Sequence, residues 1–416
     1  MKALVRFLSY LHYISLLLLA CFPLYGLNAT GMIIIVWSLS ALLWRLFTLR
    51  ETSIKRLPWK PFVLLALPYF AYLIGWTYSE NEVEAQRVLT QKLSLWVLPF
   101  GFAMAPYSVN VLTRQLVLRL FAFSVWILSI AGHLGILLEG FLYLGINQVN
   151  QEYSYFYRLT FEHLTGIHPT YISLFQWFSL FIFYDLYRQR PTSGSQVLLW
   201  KIGFAVIVVS SVVMNLLLGS RLPMLAFVLV LIGLAWKYLP SRLYRIGIPL
   251  VGLLLVVGGL FLVPGMRNRV NEMMQTEWKP PSGDNHNSVN TRIGSWRCAT
   301  SLIAEHPLQG VGTGDVQTEL NACYEQYDTG IYQGRNFNTH NEYLNLWVGT
   351  GLFGLLAFLI AVGFSFRTYR KQWLAVAFLV TFLLVAFTEN LLGRQMGIVY
   401  FALLNSLFVF SEHTRS

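Results

Sequence analysis

Long apolar runs alternate with short polar breaks along most of the chain, and charge is concentrated in the breaks. The runs 206–218 and 374–387 hold no charged residue at all. A bilayer core about 30 Å thick calls for helices of roughly 20 mostly apolar residues. Breaks at charges and turn residues delimit twelve such runs: 10–27, 31–47, 61–77, 90–105, 116–138, 168–187, 200–218, 222–238, 246–263, 343–364, 373–388 and 396–411. The pattern predicts an all-α membrane protein of about twelve transmembrane helices. Gly and Pro inside several runs are tolerated there, because neighbouring helices satisfy the backbone groups they free. The chain divides into transmembrane helices 1–9 over residues 1–263, a large polar loop with short helices over 264–342, and transmembrane helices 10–12 over 343–416.

Composition agrees with the pattern. Of 416 residues, 56% are hydrophobic and 12% charged, whereas a soluble domain carries about 25% charge. The basic start and the apolar run after it imitate a secretory leader, but no small-residue cleavage site follows. The first run is therefore read as a retained helix.

Sidedness follows from the basic residues. With the N-terminus in the cytoplasm, the inner segments collect Lys2 and Arg6; Arg45, Arg50, Lys55, Arg56 and Lys60; Arg114 and Arg119; Arg188, Arg190 and Lys201; Lys237, Arg242 and Arg245; Arg367, Arg370 and Lys371; and Arg415. The acidic segment with Glu80, Glu82 and Glu84 falls outside. Twelve crossings put both termini in the cytoplasm and the 264–342 loop on the outer face. The net charge of +11 then reflects topology, and nucleic acid, which needs a basic patch on a soluble face, is not a partner.

Two outer segments are long. Residues 139–167 are aromatic-rich, with Tyr153, Tyr155, Phe156, Tyr157 and Phe161, and read as an interfacial amphipathic piece anchored by tyrosines. Residues 264–342 are too polar to span. In that loop 278–290 reads as flexible, and 291–305 as a helix with Ile293, Trp296, Ala299 and Leu302 on one face. Cys298 and Cys323 both lie there, open to pairing on an oxidising side or to remaining free. Cys21 reads as packing inside the first run.

Arginine at the outer rim runs against the topological trend. Arg221 follows Gly219-Ser220, Arg292 opens the loop helix, and Arg394 lies beside Glu389 and Asn390. Each either snorkels or binds an anion. Three on one side, flanked by Gly, Ser or Asn, point to an anion site, and a guanidinium fork suits a diphosphate. His340, in Asn338-Thr339-His340-Asn341-Glu342, sits where the loop re-enters the membrane and can accept a proton at neutral pH. A structural role is the alternative. His306 and His168 precede prolines and mark helix entries, and His168 can also line the cavity. Asp284, His286 and Asp315 lack metal-ligand spacing, so no metal site is assigned. Gly310-Val311-Gly312-Thr313-Gly314 lacks the lysine and strand of a phosphate loop and reads as a flexible turn; no cofactor is assigned. No internal repeat supports a transporter of inverted halves.

Four stretches together resemble the O-antigen ligase superfamily of lipid-linked glycan transferases and polymerases. They are Leu218-Gly219-Ser220-Arg221; Thr291-Arg292 through Trp296 to His306-Pro307-Leu308-Gln309-Gly310-Val311-Gly312-Thr313-Gly314; His340-Asn341-Glu342-Tyr343-Leu344 with Gly349-Thr350-Gly351-Leu352; and Glu389-Asn390 with Arg394 and Gly397. Their order and common sidedness over residues 200–400 carry the match. The resemblance implies a GT-C-like fold in the bacterial inner membrane, with a periplasmic loop over a lipid-facing cavity. It implies a glycan donor on undecaprenyl diphosphate bound by Arg221 and Arg292, and an acceptor hydroxyl on lipid A-core activated by His340. Arg394, Asn341, Glu389 and His168 are the expected substrate-binding residues. An O-antigen polymerase acting on a growing glycan, or a protein O-oligosaccharyltransferase, uses the same chemistry. A flippase of polyprenyl-linked sugars would need ionisable residues at the bilayer midplane, where this sequence has few. Oligomeric state leaves no mark in the sequence.

Overall fold

The structure, a computed structural model, describes residues 1–48, 57–107, 109–143, 153–190, 193–194, 196–238, 241–262 and 264–413. The topological residues Arg50, Lys55, Arg56 and Arg415 lie outside them. Helices α1 (Lys2–Ala20) and α2 (Leu27–Phe47) form a hairpin and are followed by α3 (Trp59–Trp76). Next come α4 (Glu82–Lys92), α5 (Ser94–Met104), α6 (Val111–Tyr143), α7 (Tyr153–Thr165), α8 (Pro169–Arg188), α9 (Gln196–Leu218), α10 (Arg221–Tyr238) and α11 (Arg242–Leu262). The polar segment holds α12 (Pro264–Gln275), α13 (Ser288–Glu305) and α14 (Val316–Tyr324). The chain closes with α15 (Glu342–Tyr369), α16 (Trp373–Ala386) and α17 (Gln395–His413). No β-strand occurs among the described residues.

Seven of the described helices are long and apolar enough to cross a membrane: α1, α2, α6, α9, α10, α11 and α15. Helices α16 and α17 are apolar but shorter. Each expected run overlaps a helix, although the 10–27 run continues past the end of α1 at Ala20 into a short 3-10 turn, and this criterion does not return twelve. One reason is local: the 90–105 run is divided at Leu93, with the polar α4 on one side and α5 on the other. Another is position in the bundle. Helices buried on every side need no lipid-facing stripe. From Tyr171 to Phe183, α8 is buried throughout, as is α17 from Ile398 to Ser411. By contrast α9 presents Leu198, Leu199, Ile202, Val206, Val209 and Val213 outward, an apolar surface far larger than a water-soluble protein leaves uncovered. The chain is a multi-pass membrane protein.

Helix α15 bends at Gly351, whose φ of 65° and ψ of −170° interrupt the helix. The bend frees carbonyls, and the segment before α14 occupies them: Val311 N donates to Val348 O at 2.8 Å and Gly312 N to Gly349 O at 3.2 Å. On its other side Thr313 Oγ1 donates to Tyr72 O at 2.7 Å, and the Asp315 carboxylate accepts from Glu80 N (3.0 Å) and Asn81 N (2.8 Å) at the start of α4. The glycine-rich run is thus a buried buckle between α3, α4 and α15. The expectation of a flexible turn is overturned, because glycines here allow close approach of backbones.

Two further expectations change. Tyr157 and Phe161 are buried, and Phe161 packs on α6 beside His133. Side chains on that face of α7 therefore serve the core, while residues 144–152 and the side chains of Tyr153, Tyr155 and Phe156, on which the interfacial reading also rests, lie outside the described residues. Within 278–290, Gly283 is held by Asp328 and Thr329, while Asn287 caps α13 with a reciprocal bond to Asn290. Backbone and capping bonds fix a largely exposed stretch whose composition suggests a free loop. Cys298 and Cys323 are bridged, joining α13 to α14.

Candidate active site

The chain turns between α9 and α10, before α8 and between α16 and α17 gather at one end of the bundle, under α13. They enclose a cavity of about 380 Å³. One wall is Gly219, Ser220 and Arg221 at the start of α10; the roof is Val289, Arg292, Ile293 and Trp296 of α13; Thr388 and Glu389 close the floor. Leu222, Met224 and Leu225 continue the lining down α10, so the cavity is polar at its head and apolar below. Helical spacing explains the roof. Residues 289, 292, 293 and 296 share one face of α13. Gly294, Ser295, Cys298, Ala299 and Leu302 occupy the buried face against α14 and α15. The single apolar face expected for Ile293, Trp296, Ala299 and Leu302 is therefore two faces with different tasks. Ser220 Oγ and Trp296 Nε1 are buried in this lining and make no hydrogen bond among the described residues.

His340 stands next to the floor. Its φ of 45° makes it the one described residue other than glycine in the left-handed region, a conformation that persists only where surroundings enforce it. Here they do. Asn338 Oδ1 accepts from His340 N at 2.8 Å, and Asn390 Oδ1 accepts from Asn341 N at 2.7 Å and from Thr339 Oγ1 at 3.1 Å. The imidazole Nδ1 is then 3.3 Å from Glu389 Oε2. With the proton on Nδ1 the ring donates to the carboxylate and leaves Nε2 as acceptor.

The turn carrying Glu389 is itself fixed from beneath. Tyr171 OH donates to Asn390 O at 2.7 Å, Gln91 Nε2 to Gly393 O at 2.9 Å, and Lys92 Nζ to Leu392 O. Glu342 Oε2 accepts from Leu392 N at 2.8 Å. Lys92 and Glu342 are both buried and of opposite charge, and Lys92 also lies over the Tyr72 ring at 5.0 Å. Each holds one side of the Leu392 peptide, so removing either leaves a buried backbone group of this turn without that partner, at about 1–3 kcal/mol.

Charge at the site is strongly coupled. Burial pushes the Glu389 carboxyl up, but the hydrogen bond and charge of His340, with Arg292 and His168 nearby, outweigh it and hold the group at about 2. Glu389 is ionised at neutral pH and so a weak proton acceptor. It is placed to orient and stabilise the imidazole.

Of the residues singled out from sequence, Arg221, Arg292 and Glu389 line the common cavity, and His340 touches it through Glu389. The others are placed differently. Arg394 pairs with Glu162 at 2.7 Å, more than half exposed. Asn341 Oδ1 caps α15 by accepting from Leu344 N at 3.0 Å. His168 Nδ1 caps α8 by accepting from Thr170 N at 3.3 Å; its neighbour Thr170, not His168, is in the lining. Arg158 on α7 was not anticipated. It lines the cavity and its Nη1 donates to Gly219 O at 3.4 Å. Its signal was the i, i+4 spacing of Arg158 and Glu162 on one face of α7, next to the stripe of the buried Tyr157 and Phe161. Trp278, in the stretch read as flexible, also lines the cavity.

Residues 205–359 match the family model described as O-Antigen ligase. The matched stretch includes Arg221, Arg292 and His340 and ends before Glu389. No curated protein matches the chain.

Proposed function

Taking as premise that the chain belongs to the O-antigen ligase superfamily, a family of membrane glycosyltransferases and ligases, we propose that it transfers a glycan from undecaprenyl diphosphate to a sugar hydroxyl of lipid A-core. The observation that carries the reading is the shared cavity of Arg221 and Arg292, bounded by a carboxylate hydrogen-bonded to His340. Two guanidinium forks suit two phosphate groups. The unmatched donors Ser220 Oγ and Trp296 Nε1 are groups that phosphate oxygens would satisfy. The first turn of α10 adds the positive end of a helix dipole. The apolar lower lining suits the beginning of a polyprenyl chain.

In the proposed step the acceptor hydroxyl gives its proton to His340 Nε2 as its oxygen attacks the anomeric carbon. The bond from that carbon to the diphosphate breaks with its electron pair, and polyprenyl diphosphate departs. Glu389 stabilises the imidazolium that forms. Arg221 and Arg292 stabilise the charge growing on the leaving oxygen, an effect typically worth about 3–4 kcal/mol for each well-placed donor. One displacement inverts the anomeric centre. The bond to diphosphate supplies the driving force, and in this scheme the arginines serve where other transferases use a metal ion. The reading places the chain in the bacterial inner membrane with twelve crossings, both termini cytoplasmic and α12 to α14 in the periplasm.

Reconstitution with an undecaprenyl-diphosphate glycan and lipid A-core tests the reading. Mass analysis should show joined product and released undecaprenyl diphosphate with the wild type, and neither with His340→Ala. Full turnover by His340→Ala would remove the base; transfer to a second glycan in preference to lipid A-core would reassign the chain as a polymerase.

A further inference from the structure

A second hollow, of about 370 Å³, lies between α14 and the turn 329–336. Tyr324 and Tyr332 form its floor, stacked at 4.3 Å and nearly parallel at 11°. Both hydroxyls are tied down: Tyr324 OH donates to Phe337 O at 3.2 Å, and Tyr332 OH to Thr291 O at 2.7 Å. The walls are braced by the Cys298–Cys323 bridge and by Asn321 Nδ2 donating to Asn336 Oδ1 at 3.1 Å. The rim differs in kind. Glu325, Gln333 and Arg335 line the hollow and are exposed, and their side chains take part in no hydrogen bond or ion pair among the described residues.

A rigid aromatic floor under spare polar side chains matches a sugar. A pyranose has an apolar C–H face and a rim of hydroxyls, each a donor and an acceptor. Tyr324 and Tyr332 are buried and stacked on each other, so they stiffen the base of the hollow and leave the contacts with hydroxyls to the rim. A carboxylate, an amide and a guanidinium offer paired acceptors, one of each, and paired donors, and so span adjacent hydroxyls. Glu325 and Arg335 carry opposite charges, so the rim has no net attraction for a phosphate, unlike the cavity of Arg221 and Arg292.

Helix α13 stands between the two hollows. Arg292 and Trp296 face the first, while Thr291 and Gly294 accept hydrogen bonds from Tyr332 and Tyr327 of the second. The second hollow belongs to the strand of chain that carries His340. Asn336 on its rim is four residues before His340, and an extended chain covers at most about 3.6 Å per residue. The rim backbone is therefore within about 14 Å of that of His340, the reach of a short oligosaccharide.

We propose that this hollow binds the acceptor's glycan, holding sugars that neighbour the one whose hydroxyl His340 deprotonates. The identity of that glycan as acceptor rests on the transferase reading above; the presence of a saccharide site does not. The test uses the full chain in nanodiscs and free core oligosaccharide released from lipopolysaccharide by mild acid. By saturation-transfer NMR and calorimetry, wild type and His340→Ala should both bind it. The exposed pair Gln333→Ala with Arg335→Ala should bind about tenfold more weakly or worse, as loss of hydrogen bonds to a charged group requires. In turnover the same double variant should raise KM for the acceptor about tenfold with kcat and donor KM unmoved, the signature of lost uniform binding. Wild-type affinity in the double variant would overturn the proposal. So would a rise in donor KM with acceptor KM unchanged, which would give the hollow to the donor's glycan. Binding that is lost in the double variant, with no transfer by the wild type, would support the saccharide site and overturn the transferase reading alone.

Discussion

His340 Nδ1 and Glu389 Oε2 lie 3.3 Å apart although 49 positions separate them in the chain. The contact joins the loop entering α15 to the turn between α16 and α17, and it makes Glu389 the group that sets the tautomer of the imidazole. Glu389→Gln keeps the size of the side chain and removes its charge. We expect kcat to fall about 10²-fold, within the about 10²–10⁴-fold that a positioned base contributes, while donor KM stays within a factor of about two. Steady-state kinetics of the reconstituted enzyme checks this; an unaltered kcat would leave Glu389 without a role in the step.

The same carboxylate makes a pH prediction. Its value is about 2 in the folded protein against an ordinary 4.5, so between these values the unfolded chain binds more protons than the folded one. Stability from this group is complete above about 4.5 and is lost as pH falls towards about 2. The thermal midpoint of the solubilised wild type should therefore drop more steeply below about pH 5 than that of Glu389→Gln, which has nothing to titrate there. Parallel curves for the two proteins would contradict the assignment.

Asn390 is the anchor of the His340 loop. Its Oδ1 accepts from both Asn341 N and Thr339 Oγ1, and its carbonyl from Tyr171 OH. Asn390→Ala removes the 2.7 Å acceptor of Asn341 N and leaves that donor only a longer contact with Thr339 Oγ1 at 3.4 Å, while Thr339 Oγ1 keeps Asn341 O at 2.8 Å. The variant costs about 1–3 kcal/mol and frees His340 from its left-handed conformation. Transfer should fall about tenfold or more through kcat, with undecaprenyl diphosphate binding unchanged. Loss of donor binding with kcat intact would place Asn390 in the donor site instead.

Much of this arrangement is legible in the sequence, and the parts that are not have physical reasons. Apolar runs announce helices, because lipid-facing and core-facing positions are both apolar in a membrane bundle. Helices α8 and α17, buried on all sides, give no facing signal, and α8 is rich in aromatic, Ser and Gln residues that lower its hydropathy. Arg221, Arg292 and His340 are visible as polar residues at the ends of apolar runs. Arg158 is hidden, because its helix was read through its tyrosines. The capping roles of Asn341 and His168 are local geometry that residue type alone does not distinguish from ligand contact. The buckle at Gly310-Val311-Gly312-Thr313-Gly314 depends on carbonyls freed by a bend in α15, and no short window of sequence holds both halves.

That bend gives a direct test of the fold. At Gly351 a side-chain carbon would collide with the Leu308 carbonyl oxygen, and the φ of 65° disfavours any other residue. Gly351→Ala should cost about 1–3 kcal/mol or more, the range for a backbone forced into a sparsely populated conformation. Its thermal midpoint should fall clearly below that of Gly363→Ala, which has open space around it on the same helix. Equal midpoints for the two variants would mean that the buckle does not depend on the bend.

The central claim is that Arg221 and Arg292 hold one diphosphate between them, and a double-mutant cycle on undecaprenyl diphosphate binding tests it most directly. Arg221→Ala, Arg292→Ala and the double variant are compared in nanodiscs by calorimetry. Two residues sharing a ligand group should be non-additive, with a coupling of about 0.5–3 kcal/mol, and each single variant should bind at least about tenfold more weakly, in line with a lost charge-assisted bond. Strict additivity, or wild-type affinity in either single variant, would contradict it.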